Sequence, residues 1–222
     1  MRRFYTSAMA AEAFVFDAYG TLFDVYSVGA RCESCWPGKG AQVSLLWRAK
    51  QLEYTWQRSL MQRYAPFSTV TREALAYACA ALGLELSVAQ MEGLMAEYLG
   101  LALYPDVRAT LEKLDSRRAI LSNGSPDMLQ PLVKHSGLRF DAVISVDKLK
   151  IFKPAPQVYE LAVKKLNLEK NRIAFVSSNC WDALGAKSYG FRVYWINRAK
   201  APVDRLGFKP DAVLTSLNEV LR

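Results

Sequence analysis

The sequence has a single histidine, His135, among its 222 residues. This residue lies two positions before Gly137, at the predicted end of a helix, where a histidine interacts favourably with the helix dipole. Enzymes that activate serine or water through a histidine, such as the α/β-hydrolases, are therefore poor candidates for this chain.

Long apolar runs are missing as well. No stretch approaches the ~18 residues of a transmembrane helix, and the first ten residues carry two arginines without the apolar region of a secretory signal. The net charge is +8, but the 29 Lys and Arg residues are scattered rather than gathered into a stripe. We therefore predict a cytoplasmic protein that binds neither membrane nor nucleic acid.

Cysteine is scarce, and the four occurrences are Cys32, Cys35, Cys79 and Cys180. The first two form a CxxC pair, but no second pair and no following histidine completes a zinc site. This pair lies in the glycine-rich segment 29–40, which we interpret as a linker. Zinc or redox chemistry is thus the weaker alternative, and reduced thiols are expected.

What the sequence does contain is a series of short apolar runs. They predict strands at residues 13–17, 119–122, 142–145, 173–177 and 193–196, with a weaker one at 212–214. Continuous apolar runs are typical of a parallel sheet that is covered on both faces. Helical patterns at 127–135, 157–166 and 182–189 separate the later strands, which indicates a doubly wound α/β sheet.

The interval between the first two strands breaks this alternation. Residues 41–64 form one long helical pattern, and further helices are predicted at 71–82 and 88–99. We interpret these helices as a cap inserted over the core. The predicted domains are an α/β core of residues 12–24 and 105–222 and a helical cap of residues 25–104.

Polar motifs follow the predicted strands, at the sheet edge where open α/β folds bind ligands. Asp17 ends the first strand, Ser122-Asn123 ends the second, and Ser177-Ser178-Asn179 ends the strand at 173–177. Lys153-Pro154 and Asp182 complete the set. Each motif alone is equally typical of a helix cap or a surface turn. Together, and in this order, they indicate a catalytic site.

The residue types in this set suit nucleophilic chemistry. An aspartate with an ordinary pKa of ~3.9 is ionised at neutral pH, so Asp17 can attack an electrophilic carbon without a general base and form an ester. An ammonium at Lys153 would keep Asp17 charged despite burial. Opening the ester requires a base that activates water, and Asp182 is the best candidate.

Further residues are expected to support this chemistry. We expect Thr21 to support the nucleophile loop, and Tyr159 to orient Lys153 or Asp182. Ser177 and Asn179 are expected to hold the surroundings of Asp182. The predicted apolar wall of the pocket consists of four large side chains, Tyr19, Leu52, Phe67 and Trp181. Aromatic residues at such spacings are also typical of a plain hydrophobic core.

The motifs resemble those of the L-2-haloacid dehalogenases, a family of the haloacid dehalogenase superfamily. The resemblance runs from about residue 14 to the C-terminus, and the segments that carry it are 16–25, Leu46-Trp47-Arg48, 50–56, 121–126 and Ser177-Ser178-Asn179 with Trp181-Asp182. It includes the predicted cap, which superfamily membership alone would not predict. Two departures are the segment 29–40 and Ala49, which stands where many members carry a glutamine.

The resemblance implies that L-2-haloalkanoic acids are hydrolysed to D-2-hydroxyalkanoic acids through an Asp17 ester, with inversion and without a cofactor. In that family the residues that match Arg48 and Asn123 hold the leaving halide. Ser122 and nearby backbone amides are expected to hold the substrate carboxylate. Taken alone, Arg48 is more typical of a helix surface. The resemblance also implies a homodimer whose ligands are a small halogenated carboxylic acid and water.

Two alternatives remain open. Phosphatases of the superfamily carry a proton-donating aspartate where this chain has Tyr19, and a metal-binding aspartate where it has Ser178. Without those carboxylates a hard cation has too few ligands, so no metal site is predicted, whereas a halide leaves without a proton. The other alternative is a catalytically silent protein of this fold, which is disfavoured by the joint presence of Asp17, Arg48, Asn123, Lys153 and Asp182.

Overall fold

Six parallel strands form one sheet in the computed structural model, which describes residues 11–221. They are Ala13–Phe16 (β1), Arg117–Ser122 (β2), Ala142–Ser145 (β3), Ile173–Ser177 (β4), Arg192–Ile196 (β5) and Ala212–Leu214 (β6). All six predicted strands are present, and the α/β fold is confirmed. The interpretation of the first ten residues as free of a secretory signal lies outside the described residues.

The sheet places β1 at its centre. The strand order is β3-β2-β1-β4-β5-β6, and Phe16 of β1 lies opposite Ile120 on one side and Val176 on the other. All four residues of β1 are buried, as expected of a strand that is covered on both faces. Because the strands run in the same direction, their carboxyl ends share one edge of the sheet.

Within residues 11–221 the chain also forms eight α-helices: Gly29–Cys35 (α1), Gly40–Leu60 (α2), Phe67–Ala81 (α3), Val88–Glu97 (α4), Val107–Lys113 (α5), Pro126–Ser136 (α6), Pro156–Leu166 (α7) and Cys180–Tyr189 (α8). Helix α2 ends four residues earlier than the predicted residue 64, because Gln62 has a φ of 56°, outside the right-handed helical region. Helix α5 was not predicted, since seven residues show too little periodicity.

The segment 29–40 is not the linker that its glycines suggest. Its first part forms α1, in which Cys32 is fully buried. The carboxylate of Glu33 accepts hydrogen bonds from the backbone N–H groups of Gly38 and Gly40, and so satisfies donors at the start of α2. Packing of α1 against α2 therefore outweighs the weak helix propensity of glycine.

The cysteines of the described chain are free thiols. Burial raises the pKa of Cys32 to about 12 and that of Cys79 to about 11, so both thiols are protonated at neutral pH. Among residues 11–221, no group of three or more His, Cys, Asp or Glu side chains is arranged to hold a metal ion. In the same part of the chain, no helix has the length and apolar character needed to cross a membrane.

Two chain crossings connect the helices α1–α4 to the sheet, and they lie side by side. Phe23 and Leu103 form an antiparallel bridge. The N–H of Asp24 donates to the carbonyl of Ala102 at 2.8 Å, and the N–H of Tyr104 donates to the carbonyl of Leu22 at 3.1 Å. These contacts lie near residues 24 and 105, where we predict the domain boundaries; the division into core and cap stays a prediction.

Candidate active site

Asp17 is the first residue after β1, and its side chain is held by three donors. Lys153 Nζ donates to Oδ1 at 3.0 Å, while Thr21 Oγ1 and Asn179 Nδ2 donate to Oδ2 at 3.0 and 2.7 Å. The chain turns sharply at Gly20, whose φ of 89° is unfavourable for a residue with a side chain. The carboxylate is therefore fixed in orientation at the carboxyl edge of the central strand.

Lys153 lies between two carboxylates. Its Nζ is 3.0 Å from Asp17 Oδ1 and 2.8 Å from Asp182 Oδ2, and its side chain is 1% exposed. Burial alone would lower the pKa of Lys153, but the two carboxylates outweigh burial and the pKa is raised. The ammonium thus stays charged and offsets part of the negative charge that is buried at this edge.

Asp182 belongs to the first turn of α8 and is fully buried. Its Oδ1 accepts a hydrogen bond from the Tyr159 hydroxyl at 2.8 Å. Of the two partners predicted for Tyr159, Lys153 and Asp182, the hydroxyl therefore binds Asp182. Burial raises the pKa of Asp182 and the charge of Asp17 adds to this, whereas Lys153 and Tyr159 act in the opposite direction. A carboxylate with a raised pKa is a stronger base than an ordinary one.

Arg48 reaches the same edge from α2. Its side chain is buried, so Arg48 is not the helix-surface arginine that the isolated pattern favours. Nη2 lies 3.3 Å from the carbonyl oxygen of Tyr19 and 3.5 Å from Asn179 Oδ1, and Nη1 donates to Gln51 Oε1 at 2.7 Å. A helix of the inserted segment therefore delivers a guanidinium to the turn that follows Asp17.

Asn123, Ser122 and Ser177 lie at the ends of β2 and β4. Asn123 Oδ1 accepts from the backbone N–H of Lys153 at 2.9 Å, which leaves its NH₂ group as the donor that an anion would meet. Ser177 Oγ accepts from the N–H of Asn179 at 3.1 Å. Ser122 Oγ accepts from the N–H of Gly124 at 3.0 Å and makes no direct hydrogen bond to Asp17.

A cavity of about 390 Å³ opens beside Arg48 and Asn179. Leu52 and Trp181, two of the predicted wall residues, line this cavity. The other two, Tyr19 and Phe67, are buried against each other with ring centroids 5.5 Å apart. The Tyr19 hydroxyl is buried without a hydrogen-bond partner among residues 11–221, and burial raises its pKa.

Three residues near the site had no predicted role in it: Gln51, Ser178 and Arg198. Gln51 orients Arg48, and its own Nε2 donates to Thr71 Oγ1 at 2.7 Å. Its spacing of three residues from Arg48 on one helix face was a usable signal. Arg198 lines the cavity and follows β5 at the sheet edge where ligands bind, which was a second signal.

Comparison with known proteins places the chain in a family. Residues 11–190 match the family model of the haloacid dehalogenase-like hydrolases. The (S)-2-haloacid dehalogenase of Pseudomonas sp. (strain YL) is 47% identical over 215 residues, which cover 95% of this chain and 93% of that protein. The (S)-2-haloacid dehalogenase of Xanthobacter autotrophicus is 50% identical over 190 residues, which cover 84% and 75%.

Solved structures agree with these sequence relatives. A crystal structure of an L-2-haloacid dehalogenase superposes with a TM-score of 0.92 at 45% identity, covering 96% of this chain and 98% of that chain. The L-2-haloacid dehalogenase of Xanthobacter autotrophicus with chloropropionic acid covalently bound superposes with a TM-score of 0.89 at 43% identity, covering 96% and 97%. The chain therefore belongs to the haloacid dehalogenase-like hydrolases and, within them, to the L-2-haloacid dehalogenases, which act on carbon–halide bonds.

Proposed function

We propose that the protein converts L-2-haloalkanoic acids to D-2-hydroxyalkanoic acids through a covalent ester at Asp17. The observation that carries this proposal is the Asp17 carboxylate, which is bound by Lys153, Thr21 and Asn179. The Arg48 guanidinium lies beside the turn that follows. The relative from Xanthobacter autotrophicus whose structure holds covalently bound chloropropionic acid supports a covalent route.

In the first step, an oxygen of Asp17 attacks the α-carbon of the substrate on the side opposite the halogen. A carbon–oxygen bond forms while the carbon–halogen bond breaks, and the halide leaves with the bonding electron pair. We assign the departing halide to the Arg48 guanidinium and the Asn123 NH₂ group, because donors aimed at developing negative charge lower the barrier. Ser122 and backbone amides after Asp17 are assigned to the substrate carboxylate.

In the second step, water attacks the carboxyl carbon of the Asp17 ester. Asp182 accepts a proton from this water, and its raised pKa favours that role. The bond between the carboxyl carbon and the substrate oxygen breaks, the product oxygen takes the proton, and the second proton of the water is released to solvent. One oxygen of Asp17 thus leaves with each product molecule, and the single displacement inverts the α-carbon.

The surroundings of Ser178 disfavour the phosphatase alternative. This residue stands where metal-dependent members of the superfamily carry an aspartate, and its hydroxyl accepts a hydrogen bond from Arg198 Nη1 at 2.8 Å. A divalent cation at that position would be repelled by the neighbouring guanidinium. We therefore propose a reaction that uses neither metal nor cofactor.

We propose a cytoplasmic homodimer, by similarity to the family, whose ligands are a small halogenated carboxylic acid and water rather than nucleic acid or membrane. We also propose that residues 25–104 act as a cap on a core of residues 12–24 and 105–222. The burial of Arg48 against the turn after Asp17 supports this division.

The origin of the product oxygen tests the ester. A single turnover of L-2-chloropropionate in water labelled with oxygen-18 is expected to give mostly unlabelled product, because the oxygen comes from Asp17. Many turnovers should label both Asp17 and the later product. Asp17→Asn should abolish chloride release while unfolding at nearly the same urea concentration. Full labelling of the first product molecule would mean direct attack by water and would refute the ester.

A further inference from the structure

Arg198, the second residue after β5, contacts two separate parts of the chain. Nη1 donates to Ser178 Oγ at 2.8 Å, and Nη2 donates to Asp106 Oδ1 at 2.9 Å. The guanidinium carbon lies 4.1 Å from the centre of the Tyr104 ring, a distance typical of a cation–π contact. Arg198 therefore joins the loop after β4 to the segment that returns from the inserted helices.

The other end of this link is anchored as well. Asp106 Oδ2 accepts hydrogen bonds from Ser216 Oγ at 2.9 Å and from the N–H of Leu217 at 2.7 Å. These bonds to Ser216 and Leu217 fix the Asp106 carboxylate, and its Oδ1 binds Arg198. The guanidinium is in turn held between Asp106 and Ser178, with 22% of its side chain exposed.

Ser178 is bound through all of its polar groups. Arg198 bonds its hydroxyl, Trp195 Nε1 donates to its carbonyl oxygen at 3.0 Å, and its N–H donates to Thr21 Oγ1 at 2.8 Å. The Thr21 hydroxyl accepts the hydrogen bond from the Ser178 N–H, so its own proton is donated to a different acceptor. That acceptor is Asp17 Oδ2. Three successive hydrogen bonds therefore lead from Arg198 to the carboxylate of Asp17.

We propose that Arg198 is a positioning residue, which holds Ser178 so that Thr21 and the adjacent Asn179 keep the Asp17 carboxylate in its attacking orientation. This inference rests on the proposed role of Asp17 as the nucleophile. Arg198 also lines the cavity, so direct binding of the substrate anion is the competing role. The two roles make different predictions for Ser178. Positioning requires the Ser178 hydroxyl for a normal rate, whereas direct binding of the substrate anion by Arg198 does not.

Single-turnover chloride release from L-2-chloropropionate, measured over a range of substrate concentrations, separates the two roles. Arg198→Gln and Ser178→Ala should each slow the first chloride release about tenfold, because small misplacement of a reacting group is costly. The concentration for half-maximal rate should change less than about twofold. The double variant should be no slower than the worse single one, since both changes break the same link. Arg198→Lys should recover part of the rate.

Controls separate positioning from loss of folding. Ser136→Ala removes the hydrogen bonds that a buried hydroxyl makes with Val133 and Leu138 at the end of α6. It leaves the link from Arg198 to Asp17 intact, so it should lower stability in urea without slowing chloride release. A raised half-maximal concentration in Arg198→Gln, together with wild-type behaviour of Ser178→Ala, would overturn positioning in favour of anion binding. Wild-type rates in both variants, or losses fully explained by unfolded protein, would also overturn it. Chloride release by Asp17→Asn would instead refute the proposed function.

Discussion

Among single residues, Arg48 connects helix α2 of the inserted segment to the carboxyl edge of the sheet. Its guanidinium contacts the carbonyl of Tyr19 and the side chain of Asn179, and Gln51 holds its other nitrogen. An arginine that is buried and oriented in this way can stabilise a departing anion more strongly than a solvated one, because the surrounding dielectric is lower.

We expect Arg48→Ala to lower kcat for L-2-chloropropionate by about a hundredfold or more, a loss typical of removing one charge-stabilising donor. Arg48→Lys should restore only part of the activity, since an ammonium does not reproduce the guanidinium fork. The matched control is Arg58→Ala on the same helix, where the arginine pairs with Glu73 near the surface; its kcat should stay near wild type. Near-normal turnover of Arg48→Ala would remove the residue from the proposed halide site.

Tyr159 tests the role of Asp182 as the base. Its hydroxyl stabilises the charged form of Asp182, so Tyr159→Phe should raise the pKa of that carboxyl further. Catalysis requires the deprotonated form, so kcat falls as the pH drops through this pKa. The fall should begin above the pH expected for an ordinary aspartate. In the variant it should move about 0.7 pH unit higher, since a hydrogen bond contributes ~1 kcal/mol. A profile shifted to lower pH, or unchanged, would argue against Asp182 as the base.

At the scale of elements, the close approach of α1 to α2 depends on Gly40. A Cβ at this position would lie under 3.0 Å from the backbone N and Cα of Glu33. The two helices would have to separate, and the bonds from Glu33 that satisfy the start of α2 would be strained. Because Arg48 lies two turns further along α2, the placement of this helix also affects the candidate active site.

Gly40→Ala should therefore lower the free energy of unfolding by about 1–3 kcal/mol, as overpacking usually does. Gly29→Ala is the matched control, because a Cβ there meets no atom within 4 Å. It should leave stability unchanged or raise it by about 0.4–1 kcal/mol, since alanine reduces the entropy of the unfolded chain. Urea unfolding of both variants measures the difference. Equal stability of the two variants would show that α1 moves away from α2 at no cost.

At the scale of the whole molecule, the haloacid and phosphate reactions make different demands on one fold. A phosphoryl group brings negative charge toward Asp17, so a phosphatase requires magnesium, and its alcohol leaving group requires a proton donor. A neutral α-carbon imposes neither demand. The chain presents Tyr19 and Ser178 where carboxylates would serve the phosphate reaction.

We expect full dehalogenation of L-2-chloropropionate after exhaustive treatment with EDTA, and negligible reaction with the D enantiomer. Hydrolysis of p-nitrophenyl phosphate should be insignificant with or without magnesium. Chloride release and phosphate assays on the same preparation measure both activities. Magnesium-stimulated phosphate release at enzymatic rates, with no chloride from either enantiomer, would contradict the proposed function and leave the fold unaffected.

Local patterns in the sequence were sufficient to predict the strands and the order of the polar motifs that follow them. Strand and helix periodicity is a local property, so apolar runs such as 173–177 predict β4 without knowledge of their neighbours. Parallel strands also bring their carboxyl ends to one edge, which is why Asp17, Asn123 and Asn179 were predicted to lie near one another. Helix α1 was missed because it depends on packing against α2 rather than on its own composition.

The contacts between the charged groups depend on packing between segments that are distant in the chain. Lys153 and Asp17 are 136 positions apart, and Arg48 and Asn179 are 131 apart. Periodicity carries no information about such distances, because they depend on how helices and loops pack across the sheet edge. The same holds for the link from Arg198 through Ser178 to Thr21. The sequence therefore supplied the chemical groups, and the packing of distant segments set their partners, burial and pKa values.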